Sequence, residues 1–141
     1  MSLATNLPEL TIIGRVAIAT AIGLGIGLER HQNGKIAGVR TYSTIALATA
    51  LLTLIGIHFF AAEHQVYILA AIIVGLAVVS SKISVIDNDG RPEFSNMVAL
   101  WATGAIAISI AYGMYILGAG TAFILLAIYL IKDFIEEKQE K

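Results

Sequence analysis

Residues 23–41 of the 141-residue chain read GLGIGLERHQNGKIAGVRT. An apolar, glycine-rich run ends at Glu29 and Arg30, a short polar loop follows, and Arg40 and Thr41 open a second apolar run. The loop therefore lies between two strongly hydrophobic segments. Such a stretch could be a phosphate-binding loop, a turn between two helices or a polar site at a membrane surface.

The glycines of this stretch do not have the spacing of a nucleotide-binding loop. That loop follows a strand, opens a helix and has the pattern G-x-G-x-x-G. Here position 28 is leucine, and the glycines end an apolar run of helical length. Ala19, Gly23 and Gly27 instead recur every four residues, a pattern that lets the backbones of two membrane helices approach closely. The spacing therefore favours a helix-packing face over a nucleotide site.

The composition is typical of a membrane protein. Hydrophobic residues make up 57% of the chain and charged residues only 13%, whereas soluble domains carry about 25% charged residues. The net charge of −1 gives no basic surface for nucleic acid. Cysteine is absent, which excludes disulfides and thiolate metal sites. The first apolar run lacks the basic start and the cleavage site of a signal peptide, so we expect it to be retained.

Five apolar segments have about the length that a membrane-spanning helix needs, which is about 20 residues. Residues 97–131 carry no charge and would form a single helix about 52 Å long. Because the hydrocarbon core is only about 30 Å thick, we expect two spans there, separated at the glycine-containing stretch 117–121. A short re-entrant segment is the alternative. The predicted spans are about 10–28, 41–60, 66–86, 96–116 and 119–135.

The basic residues predict an orientation for these spans. With five spans, eight of the nine Lys and Arg residues lie on one side, and Arg15 lies within the first span. The positive-inside rule then places the N-terminus outside and the C-terminus in the cytoplasm. The sequence therefore predicts an all-α, polytopic transmembrane bundle that occupies residues 1–141 as one domain.

Arg15 and the charges around the first loop are candidate functional residues. A charge at mid-membrane costs at least about 2.5–3.5 kcal/mol, so Arg15 either points into the bundle or extends to the membrane surface. Glu29 opposes the dipole at a helix C-terminus, and pairing with Arg30 or Arg40 would offset this. Gly38, together with the glycine at position 34, allows a tight loop that could return Arg40 to Glu29.

A second polar stretch, DNDG at residues 87–90, resembles the start of a calcium loop. The positions that would be first and twelfth are Val85 and Asn96, so two key carboxylates are missing. We expect a turn there, with weak surface binding of Mg²⁺ by Asp87 and Asp89 as the alternative.

Three residues of the fourth predicted span form another candidate site. Asn96 and Thr103 share a helical face and would hydrogen-bond between helices, although they could also line a path. Trp101 lies within reach of the membrane interface. No catalytic triad, carboxylate pair or metalloprotease pattern occurs in the sequence, and we therefore expect neither enzymatic activity nor a cofactor.

Two motifs resemble the MgtC/SapB family. Residues 22–30, IGLGIGLER, followed by residues 37–41, AGVRT, resemble its signature G-x-x-x-G-x-E-R and A-G-[LV]-R-T. Residues 100–106, LWATGAI, resemble the segment L-W-A-T-A-A-I-G of its fourth helix. Arg15 falls where many members have an arginine. Residues 75–81 and 93–96 depart from the family pattern.

The resemblance implies a multi-pass inner-membrane protein that corresponds to the family's membrane domain without the soluble C-terminal domain of longer members. Members are linked to growth in low magnesium and to bacterial survival inside host cells, and some are described as inhibiting the rotary ATP synthase through membrane contacts. We therefore expect a non-enzymatic protein in the lipid bilayer that contacts a membrane partner or a second copy of itself. The expected functional cluster is Arg15, Glu29, Arg30, Arg40 and Thr41.

Two other functions are compatible with the sequence. A small oligomeric transporter or channel would carry a divalent cation or an anionic solute, because charges inside a membrane often mark such pathways. A lipid-binding or lipid-modifying protein is supported by the basic residues on the predicted cytoplasmic face.

Overall fold

A computed structural model describes residues 8–35, 37–82, 85–86 and 92–139 of the chain. Within these ranges the fold is all-helical apart from one short strand pair, as the apolar pattern predicts. A 3₁₀ turn at Ala62–His64 precedes the third helix, and β1 (Val85–Ile86) pairs antiparallel with β2 (Pro92–Glu93). The helices are α1 (Glu9–Gln32), α2 (Val39–Phe59), α3 (Gln65–Lys82), α4 (Ser95–Ala111) and α5 (Tyr115–Gln139).

Helix boundaries differ from the predicted spans at both connections on the loop-one side. α1 continues one turn beyond position 28, so that Glu29 and Arg30 belong to the helix rather than to the loop. α3 ends at Lys82 instead of position 86, because Val85–Ile86 is extended and pairs with the residues that precede α4. The predicted turn at residues 87–90 lies outside the described residues.

The break between the last two helices lies earlier than the sequence suggested. The expected break at 117–121 is wrong, since α4 ends at Ala111 and α5 already begins at Tyr115. Gly118 is buried inside α5, and a Cβ placed on it would lie 2.5 Å from Cδ1 of Ile110. This glycine therefore serves close packing of α5 on α4 rather than a turn.

Glycine closes α4 and α1 with the same hydrogen-bonding motif. Gly113 has a left-handed φ of +82°, its N–H donates to the carbonyl of Ile110 at 2.9 Å, and Met114 donates to Ser109 at 2.9 Å. Gly34, with φ +68°, ends α1 in the same way. These paired bonds are a Schellman motif, and glycine fits because it has no Cβ to disfavour the left-handed conformation.

The helices alternate in direction, which gives the bundle two distinct ends. At one end Arg30, near the end of α1, contacts Asn96 at the start of α4, and Tyr42 at the start of α2 contacts the same residue. At the other end Arg15, near the start of α1, contacts Ala111 at the end of α4. We call these the loop-one end and the opposite end. α4 is central, because it packs against all four other helices.

Small residues bring α1 and α2 together. A Cβ added to Gly23 would lie 2.6 Å from the Cβ of Ala46 and 2.7 Å from a backbone oxygen of α2. A Cβ added to Gly27 would lie 2.7 Å from Cα of Val39. Ala19, one turn earlier, is also buried. The two backbones are therefore in direct contact along this face.

The outer surface is apolar, as expected of a protein that sits in lipid. Three helical segments are long and apolar enough to cross a membrane, Glu9–Gln32, Val39–Phe59 and Ala62–Lys82, and two shorter apolar helices accompany them. Large exposed side chains such as Ile116 and Phe123 cover α5. An apolar surface of this extent would drive aggregation in water, whereas lipid tails solvate it.

The contact between α1 and α2 predicts a contrast between two neighbouring glycines. Gly23→Ala forces a methyl group into Ala46 and the backbone of α2, and such overpacking costs about 1–3 kcal/mol. Gly25→Ala meets no atom within 4 Å, and alanine favours the helix by about 1 kcal/mol. Thermal melting in detergent should fall for the first variant and hold or rise for the second. Equal melting of the two variants would contradict this packing.

Candidate functional site

Arg30 is the buried charge around which the loop-one end is organised. Its side chain is only 3% exposed. Nη2 donates hydrogen bonds to Oγ of Ser95 at 2.9 Å and to Oδ1 of Asn96 at 3.1 Å, both at the start of α4. Its guanidinium carbon lies 4.5 Å from the ring centre of Tyr129 in α5, within cation–π distance. One side chain of α1 therefore joins that helix to α4 and α5.

The dipole of one helix favours the charge of Arg30, and the dipole of another disfavours it. It lies in the last turn of α1, where the helix dipole favours a cation. It also faces the N-terminus of α4, where the dipole disfavours one. The oxygens of Ser95 and Asn96 and the ring of Tyr129 supply the negative potential that offsets this repulsion.

Asn96 connects the Arg30 contacts to α2. Its side chain is fully buried, and its backbone oxygen accepts a hydrogen bond from the hydroxyl of Tyr42 at 3.4 Å. Nε of Arg30 and Nδ2 of Asn96 are buried and have no hydrogen-bond partner among the described residues. The Arg30 cluster, formed by Arg30, Tyr42, Ser95, Asn96 and Tyr129, is therefore rich in donors and poor in acceptors.

Glu29 lies beside this cluster but is bonded within its own helix terminus. Its Oε1 accepts a hydrogen bond from Nδ2 of Asn33 at 2.6 Å, and its Oε2 is buried without a hydrogen-bond partner. Arg40, one of the two arginines that could have paired with this carboxylate, has an exposed side chain at the start of α2. The three candidate charges Glu29, Arg30 and Arg40 thus have different environments: Arg30 faces inward, Glu29 bonds within the terminus of α1, and Arg40 is exposed.

Arg15 points into the bundle at the opposite end. Nη1 donates a hydrogen bond to the carbonyl of Ala111 at 2.7 Å, and Nε donates to the hydroxyl of Tyr115 at 3.2 Å. A Cβ on Gly113 would lie 3.0 Å from Nη2 of Arg15, so the glycine turn also makes room for the guanidinium. A cation at the C-terminus of α4 is favoured by the helix dipole. Arg15 therefore caps α4.

Arg40 and Thr41 lie in a different feature, a polar recess at the start of α2. The recess has a volume of about 380 Å³ and is lined by His31, Gly38, Val39, Arg40 and Thr41. Gly38 is the N-cap of α2, and no side chain caps the free N–H groups of the first turn. We call this feature the α2 recess.

The candidate residues of α4 separate into three environments. Asn96 belongs to the Arg30 cluster. Thr103 is buried, but its hydroxyl donates to the carbonyl of Ala99 in the same helix at 2.8 Å and makes no link between helices. Trp101 is 41% exposed on the outer surface. Only Asn96 is thus part of the charged site.

A metal site of protein ligands is not evident in the described part of the chain. No group of three or more His, Cys, Asp or Glu side chains comes together among those residues. Asp87 and Asp89, the candidate magnesium ligands, lie outside the described residues.

Sequence reasoning missed three members of the Arg30 cluster. These are Ser95, Tyr42 and Tyr129, none of which the motifs single out. The available signal is weak: Tyr42 directly follows the AGVRT motif, and tyrosines tend to lie near the ends of membrane spans. Nothing in the spacing reveals that both tyrosines approach one arginine.

An apolar helical surface and a charged cluster at one end of the bundle define an all-helical membrane protein. Its sequence places it more narrowly: the chain belongs to the MgtC family, whose model matches residues 16–138. This agrees with the resemblance seen in the motif around loop one and in the segment of the fourth helix.

Two relatives are each 30% identical to the chain. Protein SrpB of Synechococcus elongatus matches over 129 residues, which cover 81% of this chain and 71% of SrpB. "Putative magnesium transporter YhiD" of Escherichia coli K12 matches over 115 residues, which cover 76% of this chain and 53% of YhiD. The match therefore spans only about half the length of YhiD. No solved structure matches the chain.

The Arg30 cluster predicts that two arginines around one loop have different effects on stability. Arg30→Ala removes two hydrogen bonds from a charged donor, each worth about 1.5–3 kcal/mol. The buried Oδ1 of Asn96 then loses the donor that Arg30 supplies. The free energy of unfolding should fall by about 3 kcal/mol, measured by denaturation in detergent. Arg40→Ala removes an exposed side chain and should change it by no more than about 0.5 kcal/mol.

Lys82→Ala is the matched control for Arg40→Ala, because Lys82 is also an exposed cation at the end of a helix. A loss of stability in Arg40→Ala equal to that in Arg30→Ala would refute the separation of the two roles.

Proposed function

We propose that the protein is a non-enzymatic, multi-pass membrane protein that supports adaptation to low magnesium by contacting another membrane protein. Membership of the MgtC family supports the biological role. The observation that carries the mode of action is the use of two arginines that point into the bundle, the buried Arg30 and the half-buried Arg15. Arg30 and Arg15 both join helices to one another, which leaves the apolar outer surface for contacts with other molecules.

The interior of the bundle favours this function over passage of a solute. Ile26, Leu100 and Ile106 are almost completely buried between the two arginine contacts and fill the space among α1, α2 and α4. A groove between α2 and α3, with a volume of about 380 Å³, opens instead on the outer surface. Its walls are apolar and include Leu52, Ile72 and Gly75.

We also propose that all five helices cross the membrane. α4 has 17 residues and is about 26 Å long, slightly less than the hydrocarbon core. Local thinning of the bilayer accommodates such a mismatch at modest cost. The alternating helix directions put loop one and the start of α4 on the same side, together with most basic residues, which favours a cytoplasmic loop-one end.

Gly75 offers a test of the outer surface that spares the fold. No heavy atom lies within 4 Å of a Cβ at this position, so Gly75→Leu fills the α2–α3 groove without displacing a neighbour. We expect unchanged melting, loss of a co-purifying membrane complex and loss of growth in low magnesium by cells that depend on this protein. Gly120→Leu, on α5, is equally open and serves as the control. Wild-type growth and complex in Gly75→Leu would exclude this groove as the contact.

A small oligomeric magnesium transporter is the second candidate. The name of the relative YhiD describes magnesium transport, and Oε2 of Glu29 is a buried acceptor without a hydrogen-bond partner. Against this function stands the adjacent Arg30 cluster, whose donors repel a divalent cation.

Reconstituted liposomes loaded with a magnesium-sensitive dye separate the two candidates. Contact with a partner predicts no Mg²⁺ flux above that of empty liposomes, while the same preparation retains the membrane complex. Flux that is abolished by Glu29→Gln but preserved in Gly75→Leu would establish transport and overturn our preference.

A further inference from the structure

The outer face of the α1–α2 pair carries a second groove that the proposed function does not use. It has a volume of about 560 Å³, and its walls are almost entirely apolar. Ile13, Ala17 and Leu24 line it from α1, and Leu47 and Leu51 line it from α2. We call it the α1–α2 groove.

This groove and the α2 recess lie on one continuous face. On α2, Leu47 and Leu51 follow Arg40 by seven and eleven residues, which places each of them within about 20° of Arg40 around the helix. On α1, His31 follows Leu24 by seven residues and has the same alignment. All five side chains are exposed. The polar recess is therefore at the loop-one end, and the apolar groove begins about 10 Å farther along α2.

The chemistry of the recess suits an anionic oxygen group. Arg40 supplies an exposed guanidinium and Thr41 a hydroxyl. The first turn of α2 contains no acidic residue, and its uncapped N–H groups lie at the positive end of the helix dipole. Glu29 lies about 160° around α1 from His31 and is absent from the recess lining.

We propose that this face binds an anionic phospholipid, with its phosphate in the α2 recess and an acyl chain along the α1–α2 groove. The order of the two sites matches the order of headgroup and acyl chain in a phospholipid, because the polar recess is at the end of the bundle and the groove runs toward its middle. A hydrophobic partner helix would leave Arg40 without a counter-charge, whereas a phospholipid satisfies both parts of the face. The inference requires only that the chain is in a membrane and is independent of the partner contact proposed above.

The headgroup part of the site is tested with the full-length protein in mixed detergent micelles. Native mass spectrometry measures retention of phosphatidylglycerol, which is anionic, and of phosphatidylethanolamine, which is zwitterionic. We expect preferential retention of phosphatidylglycerol. Arg40→Gln should reduce it about fivefold, as expected for one basic residue at an anionic lipid surface. Lys82→Gln, which removes an exposed cation outside the recess, should leave retention unchanged.

The acyl-chain part is tested by filling the groove. Ala17→Phe places a ring in the groove and should lower phosphatidylglycerol retention, whereas Ala77→Phe, at an exposed position of α3 outside both grooves, should not. Ala17, Arg40 and both control positions are exposed, and melting of each variant verifies the fold. Equal retention of the two lipids, or equal behaviour of Arg40→Gln and Lys82→Gln, would overturn the proposal.

Inorganic phosphate distinguishes a lipid site from a simple anion site. Millimolar phosphate should not displace the retained lipid, because the acyl chain contributes to binding. Displacement by phosphate, combined with wild-type retention in Ala17→Phe, would mean that the recess binds a phosphate ion alone and would refute the lipid assignment.

Discussion

A guanidinium that is 3% exposed inside an apolar bundle must find acceptors, since an unpaired buried charge is far too costly to retain. For Arg30 those acceptors come from the first two residues of α4 and from a ring of α5. α1, α4 and α5 must therefore have the correct axial register relative to one another for these contacts to form. The carbonyl of Asn96 then holds Tyr42, which brings the start of α2 to the same level.

Arg15, which is half-buried, adds a second contact at the opposite end and fixes the register of α1 against α4. Arg15 and Arg30 are 15 residues apart, and so are their partners Ala111 and Asn96. Both intervals correspond to a rise of about 22 Å, so two antiparallel helices satisfy both contacts at once without sliding. A shift of one turn would break both. Between the two arginines, small residues of α1 allow α2 to approach, and the larger side chains of α4 fill the space that remains.

The sequence was sufficient for the helical class and the order of the helices, because long apolar runs separated by charged loops have few alternatives in a membrane. It misplaced the turn between α4 and α5, since residues 113, 118 and 120 are all glycine and local composition does not reveal which one is left-handed. Tertiary packing determines which glycine forms the turn, because Gly118 packs against Ile110 and Gly113 leaves space for Arg15. The partners of Arg30 are 65 and 66 residues away in the chain, beyond the reach of any local pattern.

Arg30 and Arg40 therefore have different roles in the structure, although both belong to the motifs that flank loop one. The end of α1 turns Arg30 inward before the Gly34 turn, and the start of α2 leaves Arg40 outward. An inward guanidinium creates a positive centre among N–H donors. Two like unit charges 4 Å apart repel by about 4 kcal/mol at an effective dielectric constant of 20, and a divalent ion doubles this. Magnesium close to Arg30 would meet this repulsion, offset in part by the neighbouring carboxylate of Glu29, and this favours a function on the outer surface.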